Sequence, residues 1–175
     1  MRRWQTDRMS VVVRAAGPQE YEAIGELTAS AYLADGLVPP GSDYADTLRK
    51  AADRAVHSDL LVAVDDDTAG TLLGTVAFVR AGSPYADIAR DGEAEFRMLA
   101  VDPSARGRGV GRLLTETCVR LARDEAASRL VLSTRPIMGA ALGLYASMGF
   151  VRRPERDWEP LPGVSLVVYV LELAG

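Results

Sequence analysis

The sequence is poor in the residues that most often build disulfides, metal sites and nucleophilic triads. Cys118 and His57 are the only cysteine and the only histidine among 175 residues. A single cysteine excludes an intrachain disulfide, and a single histidine makes a histidine-based triad or a multi-histidine metal site hard to build. Cys118 also falls within an apolar helical pattern, which predicts a small buried residue. We therefore expect no metal and no acyl-cysteine intermediate.

Excess positive charge and long apolar runs are scarce as well. The formal net charge is −4, so the chain has no global basic field to attract nucleic acid. The apolar run at Ser10–Val13 is too short for a signal peptide or a membrane span. We predict a cytoplasmic protein with no nucleic-acid or membrane partner. Residues 1–9 are expected to form a flexible N-terminal extension, and residues 10–175 a single domain.

Hydrophobic periodicity predicts the element order β, α, α, β, β, β, α, β, α, β, β. The two strands on either side of residues 65–70 indicate an antiparallel hairpin. Helices that follow the strands at 93–101 and 129–133 imply right-handed crossovers and some parallel pairing. The sequence thus predicts an α/β fold with a mixed sheet flanked by helices. Strands are expected near 10–14, 60–64, 71–80, 93–101, 129–133, 150–152 and 164–173, and helices near 18–33, 43–57, 110–126 and 137–148.

A glycine-rich loop joins the strand at 93–101 to the next helix. Residues 106–112 read Arg-Gly-Arg-Gly-Val-Gly-Arg. Glycines allow close backbone approach, and the N–H groups at a helix N-terminus favour an anion such as phosphate. The loop has no Lys and no Ser or Thr at the helix start, so a Walker P-loop is excluded. A dinucleotide fingerprint beginning at Gly107 fails because its last position is Arg112.

Two segments resemble the GNAT superfamily of N-acetyltransferases. The strand ending, Leu-x-Val-Asp-Pro, and the Arg-x-x-Gly-x-Gly loop resemble the superfamily's acetyl-coenzyme A loop. Residues 144–150 resemble its Leu-Tyr-x-x-x-Gly-Phe segment. The resemblance implies a splayed central sheet of the acyl-CoA N-acyltransferase type and acetyl-coenzyme A (acetyl-CoA) as cosubstrate. It also implies transfer of the acetyl group to a primary amine of a small molecule or peptide by direct attack. The matching residues are Leu99, Val101, Asp102, Pro103, Arg106, Gly109, Gly111, Leu144, Tyr145, Gly149 and Phe150.

The resemblance also assigns roles to individual residues. In the family the strand before the loop bulges away from its neighbour, and its free backbone groups pair with the pantetheine arm. The tyrosine reaches the coenzyme sulfur, so Tyr145 is expected to protonate or hydrogen-bond the departing thiolate. Glu95 matches the position of a general base in some members, with Glu93 on the same face as second choice and water as a third. The expected cofactor-binding residues are Leu99, Ala100, Val101, Arg106, Gly107, Arg108, Gly109, Val110, Gly111 and Arg112.

One departure from the family pattern keeps an alternative open. Met138 stands where the family often has an asparagine that contacts the pantetheine. A noncatalytic acyl-CoA sensor on the same fold is therefore the second hypothesis. The acceptor amine is left open, as is a homodimer, in which Trp158 is either a dimer contact or a pocket wall.

Overall fold

The computed structural model describes the backbone of Trp4–Gln5 and, in full, residues 10–173. Short 3-10 helices occupy Pro18–Glu20, Asp66–Thr68, Pro103–Ala105 and Pro154–Arg156. The strands are β1 (Trp4–Gln5), β2 (Val11–Ala15), β3 (Asp59–Asp65), β4 (Thr71–Arg80), β5 (Glu93–Val101), β6 (Arg129–Thr134), β7 (Val151–Arg152), β8 (Trp158–Leu161) and β9 (Val164–Glu172). The helices are α1 (Tyr21–Ala34), α2 (Asp43–Arg49), α3 (Ala51–His57), α4 (Val110–Asp124) and α5 (Gly139–Ser147).

The sheet is mixed, as the sequence predicts. Its strand order is β1-β2-β3-β4-β5-β6-β9-β7, and β8 pairs with β9. Neighbours from β1 to β5 run antiparallel, β5 and β6 run parallel, and β9 is antiparallel to β6. The parallel pair follows from the α4 crossover, because a strand can return in the same direction only after a long connection. No helix among the described residues is long and apolar enough to cross a membrane.

Alternating side chains of the strands divide the core between the two faces of the sheet. Val11 and Val13 of β2 pack in the cluster that contains Leu114 and Cys118 of α4. Val12, between them, packs in the cluster that contains Ile24 of α1. Helices α4 and α5 therefore cover one face and α1–α3 the other. Cys118 is completely buried, as predicted, and burial raises the pKa of its thiol.

Two element predictions need correction. The helix predicted over 43–57 is two helices, because the chain turns at Lys50 (φ −77°, ψ 58°). Helix α2 crosses α1 there so closely that a Cβ on Gly25 would lie 2.2 Å from the Arg49 carbonyl oxygen. Residues 153–163, for which the sequence predicts no strand, contain β8, which forms a hairpin with β9 through Gly163 (φ +80°).

The domain assignments stay predictions. The extension expected over residues 1–9 lies outside the described residues, apart from Trp4–Gln5, whose backbone pairs with Val13 and Val12.

Candidate active site

The sheet opens between its two parallel strands. The register of β5 and β6 runs only from Glu93↔Arg129 to Glu95↔Val131, although both strands continue for several residues beyond that point. On their outer edges β5 stays paired with β4, and β6 stays paired with β9 as far as Thr134↔Val167. The edges that face each other therefore carry backbone N–H and C=O groups with no partner strand. This V-shaped opening begins at Phe96.

A β-bulge shapes the β5 side of the opening. β4 advances two residues from Thr75 to Ala77, while its partners on β5 advance three residues from Ala100 to Arg97. The extra residue is accommodated at Met98, whose φ is +52°, a left-handed conformation that is uncommon for a residue other than glycine. Such a bulge bends the strand and disturbs its ladder.

The bulge also changes which face each β5 side chain meets. A regular strand would place Arg97, Leu99 and Val101 on the same face as Glu95, and this expectation is wrong beyond Met98. Leu99 and Val101 pack on the α4 face, in the cluster that contains Phe96. The side chain of Met98 packs on the opposite face, in a cluster with residues of α1 and α2.

The glycine-rich loop follows the open end of β5. Gly107 and Gly109 have φ of +77° and +78°, so the loop uses left-handed conformations that glycine adopts without strain. The first hydrogen bond of α4 runs from the Leu113 N–H to the Gly109 carbonyl, at 3.0 Å. The N–H groups of Val110, Gly111 and Arg112 precede it and have no acceptor within the helix. They form a site suited to an anion at the mouth of the opening.

A small residue on β4 lets the helix approach the sheet. A Cβ on Gly74 would lie 2.9 Å from the Ala100 carbonyl oxygen and 3.0 Å from Cγ1 of Val110. The first distance is shorter than Cβ atoms show in proteins, and the second would force the Val110 side chain to shift. Glycine at this position therefore brings the N-terminus of α4 against the end of β5.

The three arginines of the loop brace it against other elements. Arg106 donates to both carboxylate oxygens of Asp35 at the end of α1, at 2.9 and 3.0 Å. Arg108 donates to Asp65 at the end of β3, at 2.9 Å. Arg112 donates to the Ser147 hydroxyl of α5, at 2.8 Å. Each guanidinium has one such protein partner, so the arginines hold the backbone of the loop in place.

Tyr145 lies where the strands separate. Its ring is 4% exposed and packs against Phe96 and Phe150, with both centroid distances at 5.8 Å. Phe96 is the first residue of β5 beyond the last β5–β6 pair. No hydrogen bond joins the Tyr145 hydroxyl to another described residue. Burial raises its pKa well above the ordinary value of 10.0, so the phenol stays protonated and able to donate.

Glu95 lies on the other face at the same point and is completely buried. One of its carboxylate oxygens accepts the backbone N–H groups of Asp87, Ile88 and Ala89, at 3.0, 3.0 and 3.1 Å. The other oxygen is 3.9 Å from Nε of Arg97 and accepts no hydrogen bond from the described residues. Burial raises the pKa of Glu95 and outweighs the opposing effect of the N–H groups. The side chain thus anchors the β4–β5 loop and keeps one oxygen unengaged.

Glu93 occupies the closed end of the strand pair. Its oxygens accept hydrogen bonds from Arg156 at 2.8 and 3.0 Å and from the Arg90 backbone N–H at 3.0 Å. Burial acts to raise the pKa of Glu93, but these hydrogen bonds dominate and lower it. The structure therefore separates Glu93 from the opening and engages both of its oxygens.

Sequence reasoning missed two arginines on the side of the sheet where Met98 packs. Arg54 of α3 is completely buried, and Arg135 at the end of β6 reaches across to the Leu37 carbonyl at 3.0 Å. Tyr32 and Tyr44 pack in the same cluster as Met98. The available signal was the spacing of Arg54 three residues after the buried Ala51, which places a charged residue on the buried stripe of a helix.

Trp158, for which the sequence left a pocket wall or a dimer contact open, is partly buried. It contacts the cluster of Val131, Val168 and Val170 that joins β6 to β9. Met138 is the residue that precedes α5, and its side chain does not cap the helix.

Comparison with known proteins agrees with this geometry. Residues 21–150 match the Acetyltransferase (GNAT) family. The chain is 30% identical over 148 residues to the N-alpha-acetyltransferase RimI of Mycobacterium tuberculosis, covering 83% of this chain and 82% of that protein. It is 35% identical over 105 residues to human N-acetyltransferase 8B, covering 58% of this chain and 45% of that protein, so it spans about half the length of this relative.

A solved structure shows the same fold. The yncA protein of Salmonella typhimurium, determined with its cofactor acetyl-CoA, superposes with a TM-score of 0.67 at 21% identity, covering 94% of this chain and 95% of that one. The splayed parallel strands and the glycine-rich start of α4 agree with the family match. This chain belongs to the GNAT family of acetyltransferases.

Proposed function

We propose that this chain transfers an acetyl group from acetyl-CoA to a primary amine of a small molecule or peptide. The observation that carries the proposal is the end of β5–β6 pairing at Glu95↔Val131, directly before a bulge and a glycine-rich helix start. An extended arm that carries amides can pair with the unpaired strand edges. A diphosphate can accept hydrogen bonds from the N–H groups at the start of α4.

The residues proposed to bind the cofactor form two groups, one for each part of the coenzyme. Backbone groups of Leu99, Ala100 and Val101 border the opening and are proposed to hold the pantetheine arm. The loop residues 106–112 are proposed to hold the diphosphate through their N–H groups, and the loop arginines keep this backbone in place. A backbone N–H near the bulge would also stabilise the oxyanion that develops on the thioester carbonyl during attack.

Two side chains on opposite faces supply the proton chemistry. The amine nitrogen attacks the carbonyl carbon, the C–N bond forms, and the C–S bond breaks. Tyr145 donates a proton to the departing thiolate from the α5 face. Glu95, through its unengaged oxygen and a water, accepts the proton that the amine loses on the other face. Of the two glutamates Glu95 is the stronger candidate, because burial raises its pKa while the pKa of Glu93 is lowered.

The test is an acceptor panel. The full chain is incubated with acetyl-CoA and an alkylamine, a diamine, an amino acid or a short peptide with a free N-terminus. Thiol release is followed with a chromogenic disulfide, and the N-acetyl product by mass spectrometry. We expect release that depends on one class of amine. Acetyl-CoA binding without release for any amine would instead support the sensor hypothesis, which the unusual Met138 favours.

A further inference from the structure

We propose that the acceptor amine carries a carboxylate and that Arg54 binds it, in a tyrosine-lined site beside the bulge of β5. This inference rests on the proposed acetyl transfer and names the substrate class that the site selects. It starts from one side chain whose charge has no partner anion in the described part of the chain.

Arg54 is buried without its full set of hydrogen bonds. Its relative exposure is 0%, and only one of its terminal nitrogens is engaged, through a 3.0 Å bond to the Leu48 carbonyl. Its Nε and its second terminal nitrogen have no partner among residues 10–173. Burial lowers the pKa of Arg54. An arginine nevertheless stays charged at neutral pH, and a buried charge is costly unless an anion pairs with it.

The neighbouring acids are engaged elsewhere. Asp87 pairs with Arg97 at 2.7 Å, and Asp53 accepts a 2.6 Å hydrogen bond from Tyr85. One oxygen of Glu95 is committed to the β4–β5 loop, and the other lies 3.9 Å from Arg97. After burial, the largest influences on the pKa of Arg54 come from three tyrosines and a second arginine.

The position of Arg54 suits an acceptor. Tyr85, Tyr32 and Tyr44 interact electrostatically with Arg54, and all three are partly exposed. They also pack in the cluster of Met98, the bulge residue. In the proposed complex the ligand lies between the tyrosine rings, with Arg54 on one side and the bulge on the other. This is the face of Glu95, opposite to the face of Tyr145.

The chemistry of the site favours a carboxylate. A guanidinium with two unpaired nitrogens can donate two parallel hydrogen bonds to the two oxygens of one carboxylate. The Tyr85 hydroxyl already donates to Asp53, but the hydroxyls of Tyr32 and Tyr44 can donate to the same oxygens, and the aromatic rings suit an apolar side chain. The site therefore fits a small amino acid better than a polyamine, whose second cation would be repelled by Arg54.

The experiment compares acceptors that differ only in this charge. L-phenylalanine, L-methionine and β-alanine are each assayed against their primary amides, with acetyl-CoA and the full chain. The amine of an amide is the less basic and more often unprotonated, so reactivity alone favours the amides. We expect kcat/KM to be about 100-fold higher for at least one acid than for its amide. The amide lacks the carboxylate, and loss of one partner of a buried charge pair has an effect of this size.

The variant Arg54→Met tests the residue itself. It should abolish the preference for the acid while acetyl-CoA affinity by calorimetry stays within about twofold, since no coenzyme contact is removed. Arg49→Met, which removes an exposed arginine on the neighbouring helix, should leave the preference unchanged. If Arg54→Met does not fold, the acid-to-amide ratios of kcat/KM measured on the unmodified chain still decide whether the site prefers a carboxylate.

The outcomes separate this inference from the proposed function. Amides used as well as their acids, or a preference that survives Arg54→Met, would overturn the carboxylate site while acetyl transfer stands. Turnover of diamines or of alkylamines without turnover of any acid would do the same. Absence of thiol release with every amine would overturn the proposed function, and this inference would fall with it.

Discussion

Replacing Tyr145 with phenylalanine tests whether its hydroxyl acts in the reaction or the ring merely fills the core. Tyr145→Phe keeps the ring contacts with Phe96 and Phe150 at 5.8 Å and removes an oxygen that has no partner among the described residues. The free energy of unfolding should therefore change by less than about 1 kcal/mol. Loss of the proton donor should lower kcat by about 10- to 100-fold, the low end for general acids, because a thiolate is a weak base.

A matched variant separates the two roles. Phe150 belongs to the same aromatic cluster and is 3% exposed. Phe150→Leu replaces its ring with a smaller side chain and leaves the phenol of Tyr145 in place. It should lower the free energy of unfolding by about 1–2 kcal/mol with a smaller effect on kcat. Steady-state kinetics at saturating amine and urea denaturation measure both quantities. If Tyr145→Phe loses stability as Phe150→Leu does, or leaves kcat unchanged, the phenol is structural.

Three further predictions concern the loop and the two glutamates. Gly111→Glu should weaken acetyl-CoA binding in calorimetry by at least about tenfold, because it puts negative charge where a diphosphate is proposed to bind. Gly111→Ala, whose Cβ would meet Val101 and Leu144 at an ordinary 3.7 and 3.8 Å, should bind normally; equal affinities for the two variants would refute the loop assignment. Glu95→Gln should lower the free energy of unfolding by about 1–3 kcal/mol, since three N–H groups lose a charged acceptor, and it should also slow turnover. Unchanged stability would contradict the anchoring role. The pKa of Glu93 lies below its ordinary 4.5, so its ionised form contributes stability that is present above pH 4.5 and lost as the pH falls through the lower value of the folded state. Melting temperatures across this acid range should fall more steeply for the unmodified chain than for Glu93→Gln, and parallel curves would contradict the ion pair.

The parts of the site that depend on local chemistry were predictable from sequence. Left-handed conformations at Gly107 and Gly109 need glycine, so the spacing of the loop is visible in the sequence. The Leu-Tyr-x-x-x-Gly-Phe segment was also predictable, because the end of a helix, the glycine that follows it and the next aromatic residue all lie within a few residues of one another. The amphipathic pattern of α4 likewise predicted its start at Val110, as observed.

The parts of the site that depend on contacts between residues distant in the sequence were not predictable in detail. The family resemblance implied a bulge, but its position at Met98, with a positive φ, carries no glycine signal, and the bulge reverses the faces of Leu99 and Val101. The turn at Lys50 follows from the crossing of α2 over α1. The electrostatic environment of Arg54 includes three tyrosines drawn from α1, α2 and the β4–β5 loop, which no local pattern connects.

The most direct measurement of the central claim is amide hydrogen exchange with and without acetyl-CoA. The unpaired N–H groups of the β5 edge and of the first turn of α4 should exchange quickly in the free chain. They should become protected when the coenzyme binds, in peptides that cover 97–101 and 107–113. Binding that protects neither segment, or protects only elements far from the β5–β6 opening, would contradict the account.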